Sequence, residues 1–546
     1  MPVPGRTLAR VGSHTYGHGV SLLDGWLPLT IEIVAIVLLV LVIARRSRRW
    51  WLLWIPVSVG VGALTVWAAY EYWSSEGMSS DPAPQLLWWW IGALGAAVAL
   101  VVVGARRTQW WRRVASVLSV IAVLAAAALS VNQWVGYFPT VQEAWAQLTA
   151  GPLPDQIDNS TLAADRNTVQ TTGKVVSIDT GSAHSDFAHR TEYVYLPPAW
   201  FAGPTPPTLP VVMMISGEFN TPADWMRTGH AVQIIDAYAR THHGQAPILV
   251  FPDVGGSFNN DTECVNGPRG NVATHLTDEV RPAVISQFHA SPAAANWGVV
   301  GWSMGGTCAV DLVTMHPDEF TSFEDIAGDA APNSGTTSQT VSRLFGGSTT
   351  AYADFDPATV MARHGRYTGV SGWFDESSGG GWGPGGPGQH GGHHPGQGGR
   401  GQGQWGQGQG GQGQGGQGQG GQGQGGQGHG NQGKWGGPGQ GGTGLGGRDG
   451  GGHITPGSEL TAARTLCADG EKVGITCSIH LQSGGHTWQF AEQAFTDALP
   501  TMAAEIGVPD AGPVPATTTH TPSGTAPSAP SASVNAMSAP SSSPPA

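Results

Sequence analysis

The stretch VVGWSMGGTCAV, residues 299–310, sets a serine between glycines two positions to either side, directly after one apolar run and directly before another. Gly301-Trp302-Ser303-Met304-Gly305 is the pattern of a sharp turn from strand into helix. Glycines keep side chains out of the crowded positions there, and the serine hydroxyl stands clear of the backbone. Glycine and serine are common in this chain of 546 residues, 83 of them Gly, so the five residues need support from what surrounds them.

On both sides of the turn the chain alternates strand and helix patterns. The β-branched, apolar runs KVVSID, TEYVYLP, PVVMMIS, PILVFPD, WGVVGW, FEDIAG, YTGVSGWF and TCSIHLQS read as strands, with helical periodicity in AVQIIDAYART and HLTDEVRPAVISQF. Two early strands followed by strand–helix repeats predict a mostly parallel sheet covered on both faces, an α/β architecture. The formal charge of −13 argues against a general nucleic-acid binder.

Upstream lie four apolar runs, at about 27–44, 50–70, 86–104 and 114–131, each near the ~20 residues that cross hydrocarbon as a helix. RRSRR (45–49) and ARRTQWWRR (105–113) join the first pair and the last pair, whereas EYWSSEGMSSDPAPQ (71–85) has acids and no Lys or Arg. The excess of positive charge on cytoplasmic loops then predicts a multi-pass protein of the cell membrane with everything after residue 135 outside the cytoplasm, despite Arg6 and Arg10 near the start. Trp50, Trp51, Trp88, Trp89, Trp90, Trp110 and Trp111 sit near the expected helix ends, where indoles prefer the interface. Apart from Glu32 near one end, no ionisable side chain interrupts the runs, so anchoring is expected rather than transport.

The expected organisation is a four-helix transmembrane region over 1–135, a linker over 136–170, a catalytic domain in two parts over 171–376 and 454–508, a Gly/Gln-rich insert over 377–453 and a Pro/Ser/Ala/Thr-rich tail over 509–546. Insert and tail have almost nothing apolar to bury and read as disordered. The insert's HGGHHPGQ (390–397) lacks the fixed spacing of a metal site, so no metal and no cofactor is expected.

A serine hydroxyl needs a histidine to take its proton and a carboxylate to orient that histidine. His486, in LQSGGHTWQFAEQAF, follows the last strand and precedes an amphipathic helix, whereas His480 lies inside that strand and His364 precedes another. The acid is expected at the end of the preceding strand, at Asp375 or alternatively Glu376, with Asp329 a third choice. Two backbone N–H groups would hold the developing oxyanion, those of Met304 and, in the loop SGEFN (216–220), Glu218.

LPVVMMISGEFNTPADW, NWGVVGWSMGGTCAVDLVTMHPDEFTSFEDIAGD and GGHTWQFAEQAF resemble, in that order, the esterase family of α/β-hydrolases that includes S-formylglutathione hydrolase, esterase D and the antigen 85 mycolyltransferases. The likeness spans about 170–376 and 454–505. It implies an α/β-hydrolase fold with Ser303 as nucleophile, His486 as general base and Asp375 or Glu376 as acid. Ser216-Gly217-Glu218-Phe219 stands where antigen 85 proteins carry Asp-Gly followed by Leu-Arg, so trehalose or mycolate recognition does not carry over.

Four cysteines in an outward-facing domain permit the disulfides Cys467–Cys477 and Cys264–Cys308, with buried thiols as the alternative. The functional expectation is a serine esterase or acyltransferase. It would act on an acyl ester or thioester, such as a lipid or glycolipid of the cell envelope. A non-catalytic envelope protein on the same scaffold is the competing expectation.

Overall fold

The structure is a computed structural model; it describes residues 19–44, 47–75, 83–104, 109–149, 151–378 and 458–510. The Gly/Gln-rich insert beyond 378, its histidine tract and the tail beyond 510 lie outside the described residues, as do Arg6, Arg10 and parts of both Arg-rich loops.

Eight strands form one sheet: β1 Lys174–Ile178, β2 Glu192–Leu196, β3 Val211–Ile215, β4 Ile248–Phe251, β5 Trp297–Trp302, β6 Ser322–Ile326, β7 Ser371–Ser377 and β8 Thr476–Gln482. Their order is β1-β2-β4-β3-β5-β6-β7-β8. β2 runs antiparallel to β1 and β4, and every other pairing is parallel. This is the α/β-hydrolase arrangement, and the eight apolar runs of the sequence are its eight strands.

β3 explains why those runs are continuously apolar rather than alternating. Val211, Met213 and Ile215 enter the core on one face of the sheet, while Val212 and Met214 enter the core on the other. A strand buried on both sides has no polar face to offer. Helices α5 Ala231–Thr241 and α9 Trp488–Glu505 cover one face, and α6 Arg281–Phe288, α7 Met304–Met315 and α8 Ser458–Val473 cover the other. Both disulfides are formed. Cys264–Cys308 ties the loop after β4 to α7, and Cys467–Cys477 ties α8 to β8.

The N-terminal part is four long apolar helices, α1 Trp26–Ile43, α2 Trp50–Ser75, α3 Gln85–Gly104 and α4 Trp110–Val135, each within a few residues of a run marked in the sequence. Large apolar side chains such as Leu29, Val40, Leu52 and Ile121 stay exposed on them, which suits hydrocarbon and not water. The segment expected as a linker is partly ordered. It forms a helix over Val141–Leu148, and Leu22 N and Val141 N make backbone hydrogen bonds to Pro139 O and Val20 O, which bring the start of α1 beside the end of α4.

The fold places its loops where chemistry can converge. The segments that follow β3, β5, β6 and β8 all leave the carboxyl edge of the sheet, the edge at which ligands bind in open α/β sheets.

Candidate active site

Ser303 follows β5 at φ +58° and ψ −121°, a left-handed backbone position that a side chain occupies only at a cost. Three bonds hold it there. Ser303 N donates to Ile326 O at 2.9 Å, and Gly306 N and Thr307 N donate to Ser303 O at 2.8 and 3.3 Å. The flanking glycines are steric necessities: a Cβ on Gly301 would strike the Gly305 carbonyl, and one on Gly305 would strike the carbonyl of Ile215. The pentapeptide of the sequence is therefore a nucleophile elbow by geometry.

His486 reaches the elbow from the loop after β8, with Nε2 2.9 Å from Ser303 Oγ. Trp302 packs on the imidazole with ring centres 4.2 Å apart. Two residues on, Trp488 is buried against Trp225 edge to face at 5.2 Å, which anchors the His-Thr-Trp segment to the core. One ring nitrogen thus faces an alcohol; the other, Nδ1, faces Glu459 Oε1 at 3.5 Å, with both side chains largely shielded from water.

The carboxylates expected to serve His486 occupy other places. β7 runs through Ser377 rather than ending at Phe374, so Asp375 and Glu376 are successive strand residues that point to opposite faces. Asp375 accepts from Trp373 Nε1 at 2.6 Å and from Gln482 Nε2 at 2.7 Å, and burial raises its pKa to about 7. Glu376 is buried without a hydrogen-bond partner among the described residues. Burial, with the charges of Asp325, Glu459, Asp375 and Asp329 behind it, raises its pKa to about 10. It stands among these acids as a neutral carboxyl at neutral pH. Asp329 accepts from Asn333 Nδ2 at 2.9 Å. His480 stacks on Trp373 with centroids 3.5 Å apart, and His364 stacks on Tyr367.

Glu459 escaped the sequence reading because it lies in the first turn of α8, beyond the insert, where no strand end draws attention to it. Chain order was the available signal: an acid between Ser303 and His486 satisfies Ser, acid, His wherever it stands.

The loop 216–220 runs beside the elbow. A Cβ on Gly217 would come within 3.1 Å of Ser303 Cβ, which puts the following residue, Glu218, at the mouth. Arg190 holds the far end of this loop. Its Nη2 donates to Asn220 O at 2.8 Å, while Nε and Nη2 donate to the two oxygens of Asp253 at 3.0 and 2.6 Å. Met304 opens α7, and the first amides of a helix have no acceptor within it. The two N–H groups named from the sequence therefore belong to segments that border Ser303.

A second titratable group lies away from the elbow. His189, Glu192 and His275 bring ligand atoms within 4.8 Å of one another, the spacing of a possible metal set. Protein hydrogen-bond partners already engage them. His275 offers Nδ1 to Glu279 Oε2 at 2.7 Å and Nε2 to Glu192 Oε1 at 3.0 Å, and Glu192 also accepts from Asp253 N and Thr180 Oγ1. With a carboxylate on each nitrogen, the fully buried ring carries both protons and acts as a cation between anions rather than as a metal ligand.

Residues 187–407 match the Esterase family model, described as Putative esterase. A protein of Corynebacterium glutamicum, described as uncharacterized, is 30% identical over 376 residues that cover 65% of this chain and 84% of its own. Among solved structures, S-formylglutathione hydrolase from Agrobacterium tumefaciens aligns at a TM-score of 0.40 with 16% identity, over 62% of this chain and 98% of that one. MPT51 (FbpC1) of Mycobacterium tuberculosis aligns at 0.34 with 14% identity, over 61% and 98%.

Proposed function

Since this chain belongs to the esterase family of α/β-hydrolases, we propose that it is a membrane-anchored serine esterase or acyltransferase whose catalytic domain faces out of the cytoplasm. The observation that carries the chemistry is the 2.9 Å approach of His486 Nε2 to Ser303 Oγ on a strained elbow. His486 takes the hydroxyl proton as Oγ attacks an ester or thioester carbonyl, and the tetrahedral oxyanion accepts from the N–H groups of Met304 and Glu218. Collapse breaks the bond to the alcohol or thiol, which leaves with the proton from His486. The acyl group is then on Ser303. Water or a sugar or lipid hydroxyl gives a proton to His486 and takes the acyl group, and the proton returns to Oγ.

For the acid we propose Glu459. Its Oε1 is 3.5 Å from Nδ1, close enough for its charge to steady the imidazolium. Asp375 spends its oxygens on Trp373 and Gln482, and Glu376, neutral at pH 7, lacks the charge the role needs.

Four long apolar helices support the anchor. The Arg-rich loops support its orientation, since they join the helix ends opposite those that meet the catalytic domain.

A fluorophosphonate probe tests the mechanism on the full chain in detergent. Covalent label on Ser303, lost in Ser303→Ala, is expected; an unlabelled Ser303 would favour a binding protein on a hydrolase scaffold. Mass spectrometry of products from acyl esters, with and without sugar acceptors, then separates hydrolysis from transfer.

A further inference from the structure

An acyl-enzyme needs a route by which the acyl group arrives, and the contacts between the helix bundle and the catalytic domain bear on that route. At one end of the bundle aromatic rings gather at one level: Trp73 lies 6.0 Å from Trp88 and 5.5 Å from Trp134, and Tyr70 lies 5.8 Å from Trp88. Indoles and phenols collect where hydrocarbon meets water, so these rings mark headgroup level.

The catalytic domain meets this end of the bundle through segments that follow β3, β4, β6 and β8. After β8, Gln489 Nε2, three residues from His486, donates to Gly136 O at 3.0 Å, and Tyr137 OH donates to Asp224 Oδ1, in the segment after β3, at 2.7 Å. In the loop after β4, Asn259 Nδ2 donates to Tyr72 OH at 3.2 Å, and in the segment after β6, Arg343 Nη2 donates to Ser75 O at 2.7 Å. The mouth of the site thus opens beside the ring cluster.

Next to Asn259, Phe258 is 72% exposed, and its ring stands 5.5 Å from that of Phe219, itself 37% exposed. Phe219 is two residues past Gly217, which abuts Ser303. The pair therefore leads from the elbow to the outer end of α2. Two large rings left open at such a place are costly against water and favourable against lipid.

We propose that Phe219 and Phe258 form an apolar lip at the bilayer surface, over which the acyl chain of an outer-leaflet ester lipid passes to Ser303. This rests on the acyl-enzyme reading above and names its substrate class. The lip binds chain, not carbonyl, so it discriminates by acyl length and by where the substrate resides.

The test uses the full chain reconstituted in phosphatidylglycerol vesicles, with active sites counted by fluorophosphonate. One substrate is a soluble umbelliferyl acetate and the other an umbelliferyl palmitate carried in the bilayer. Phe258→Ser is expected to lower the palmitate rate about tenfold, the scale of one lost ring contact, and to leave the acetate rate within roughly twofold. Phe258→Leu, still apolar, is expected to restore most of the palmitate rate. Equal losses on both substrates, or no loss on palmitate while Ser303 labels and acetate is cleaved, would overturn the lip and leave the acyl chemistry standing. An unlabelled wild-type Ser303 would overturn both.

A second measurement reads position alone. All four cysteines are in disulfides, so Phe258→Cys offers a single thiol for a fluorophore. Quenching by a lipid carrying a nitroxide near the headgroup is expected, and its absence overturns the proposal.

Discussion

Among the histidines of this protein that face carboxylates, His275 and His486 do opposite things. His275 is wholly buried with a carboxylate on each nitrogen, so it keeps both protons and ties β2 to the helical turn at 275–280. His486 has the Glu459 carboxylate near one nitrogen and a serine hydroxyl on the other. A ring satisfied twice by acids has no exchangeable role, whereas a ring between acid and alcohol can take a proton and return it. The residue type is the same; the second partner makes the chemistry.

The largest expected effect falls on the alcohol side. Ser303→Ala or His486→Ala should lower kcat by about 10⁶-fold, the scale of losing a nucleophile or its base, while far-UV circular dichroism stays unchanged. His275→Gln should do the reverse, leaving the fluorophosphonate label on Ser303 and destabilising the fold by about 3–5 kcal/mol, because two buried carboxylates lose their shared cation. A denaturant titration of each variant reads this difference, and similar stability losses at both histidines would break the comparison.

The acid side sharpens it. Glu459→Gln should lower kcat by about 10⁴-fold, as expected when a histidine loses its orienting charge, and Glu376→Gln by severalfold at most. The opposite ranking in a kcat measurement would assign the role to the strand-end glutamate. The Cys264–Cys308 bridge offers a smaller, purely structural contrast. Replacing both with Ala should cost about 2–4 kcal/mol in a thermal melt, since the bridge closes a chain segment between residues 44 apart.

The smallest expected effect is on pH. Burial pulls the His275 ring down, but hydrogen bonds and charge from Glu192 and Glu279 outweigh it and raise its pKa above 6.5. Its contribution is complete below that unfolded value and is lost as pH rises through the folded one. Burial pushes Glu279 up, yet bonds from Ser185, His275 and the backbone bring it down from 4.5 to about 2. Its contribution is present above 4.5 and is lost as pH falls toward 2. Urea midpoints of the wild type should therefore fall off as pH rises past 6.5 and through the raised folded value, and His275→Gln should flatten that limb. An unchanged slope in the variant would mean that some other group carries the alkaline loss.

Much of this was legible without coordinates. All eight strands were readable because a strand covered on both faces must be apolar throughout, as Val211–Ile215 is. The four helices were readable because each run combines the length and the apolarity that a membrane span needs. His486 could be singled out because the Ser, acid, His order and the edge of a parallel sheet both point to it. Glu459, Arg190 and the His275 cluster were not legible, because no motif or chain order marks the partners that the fold brings to them.

The sequence by itself determined the elements and singled out Ser303 and His486, which the fold brings within 2.9 Å, since periodicity, steric need for glycine and chain order are all local or ordinal properties. Only the tertiary structure decided which carboxylate meets the histidine and which rings stand at the mouth. Extension of β7 by three residues, through Ser377, alternates Asp375 and Glu376 across the sheet, and helix packing carries Glu459 across from beyond the insert. Those outcomes depend on where side chains point once the chain is closed on itself, and no linear pattern encodes that direction.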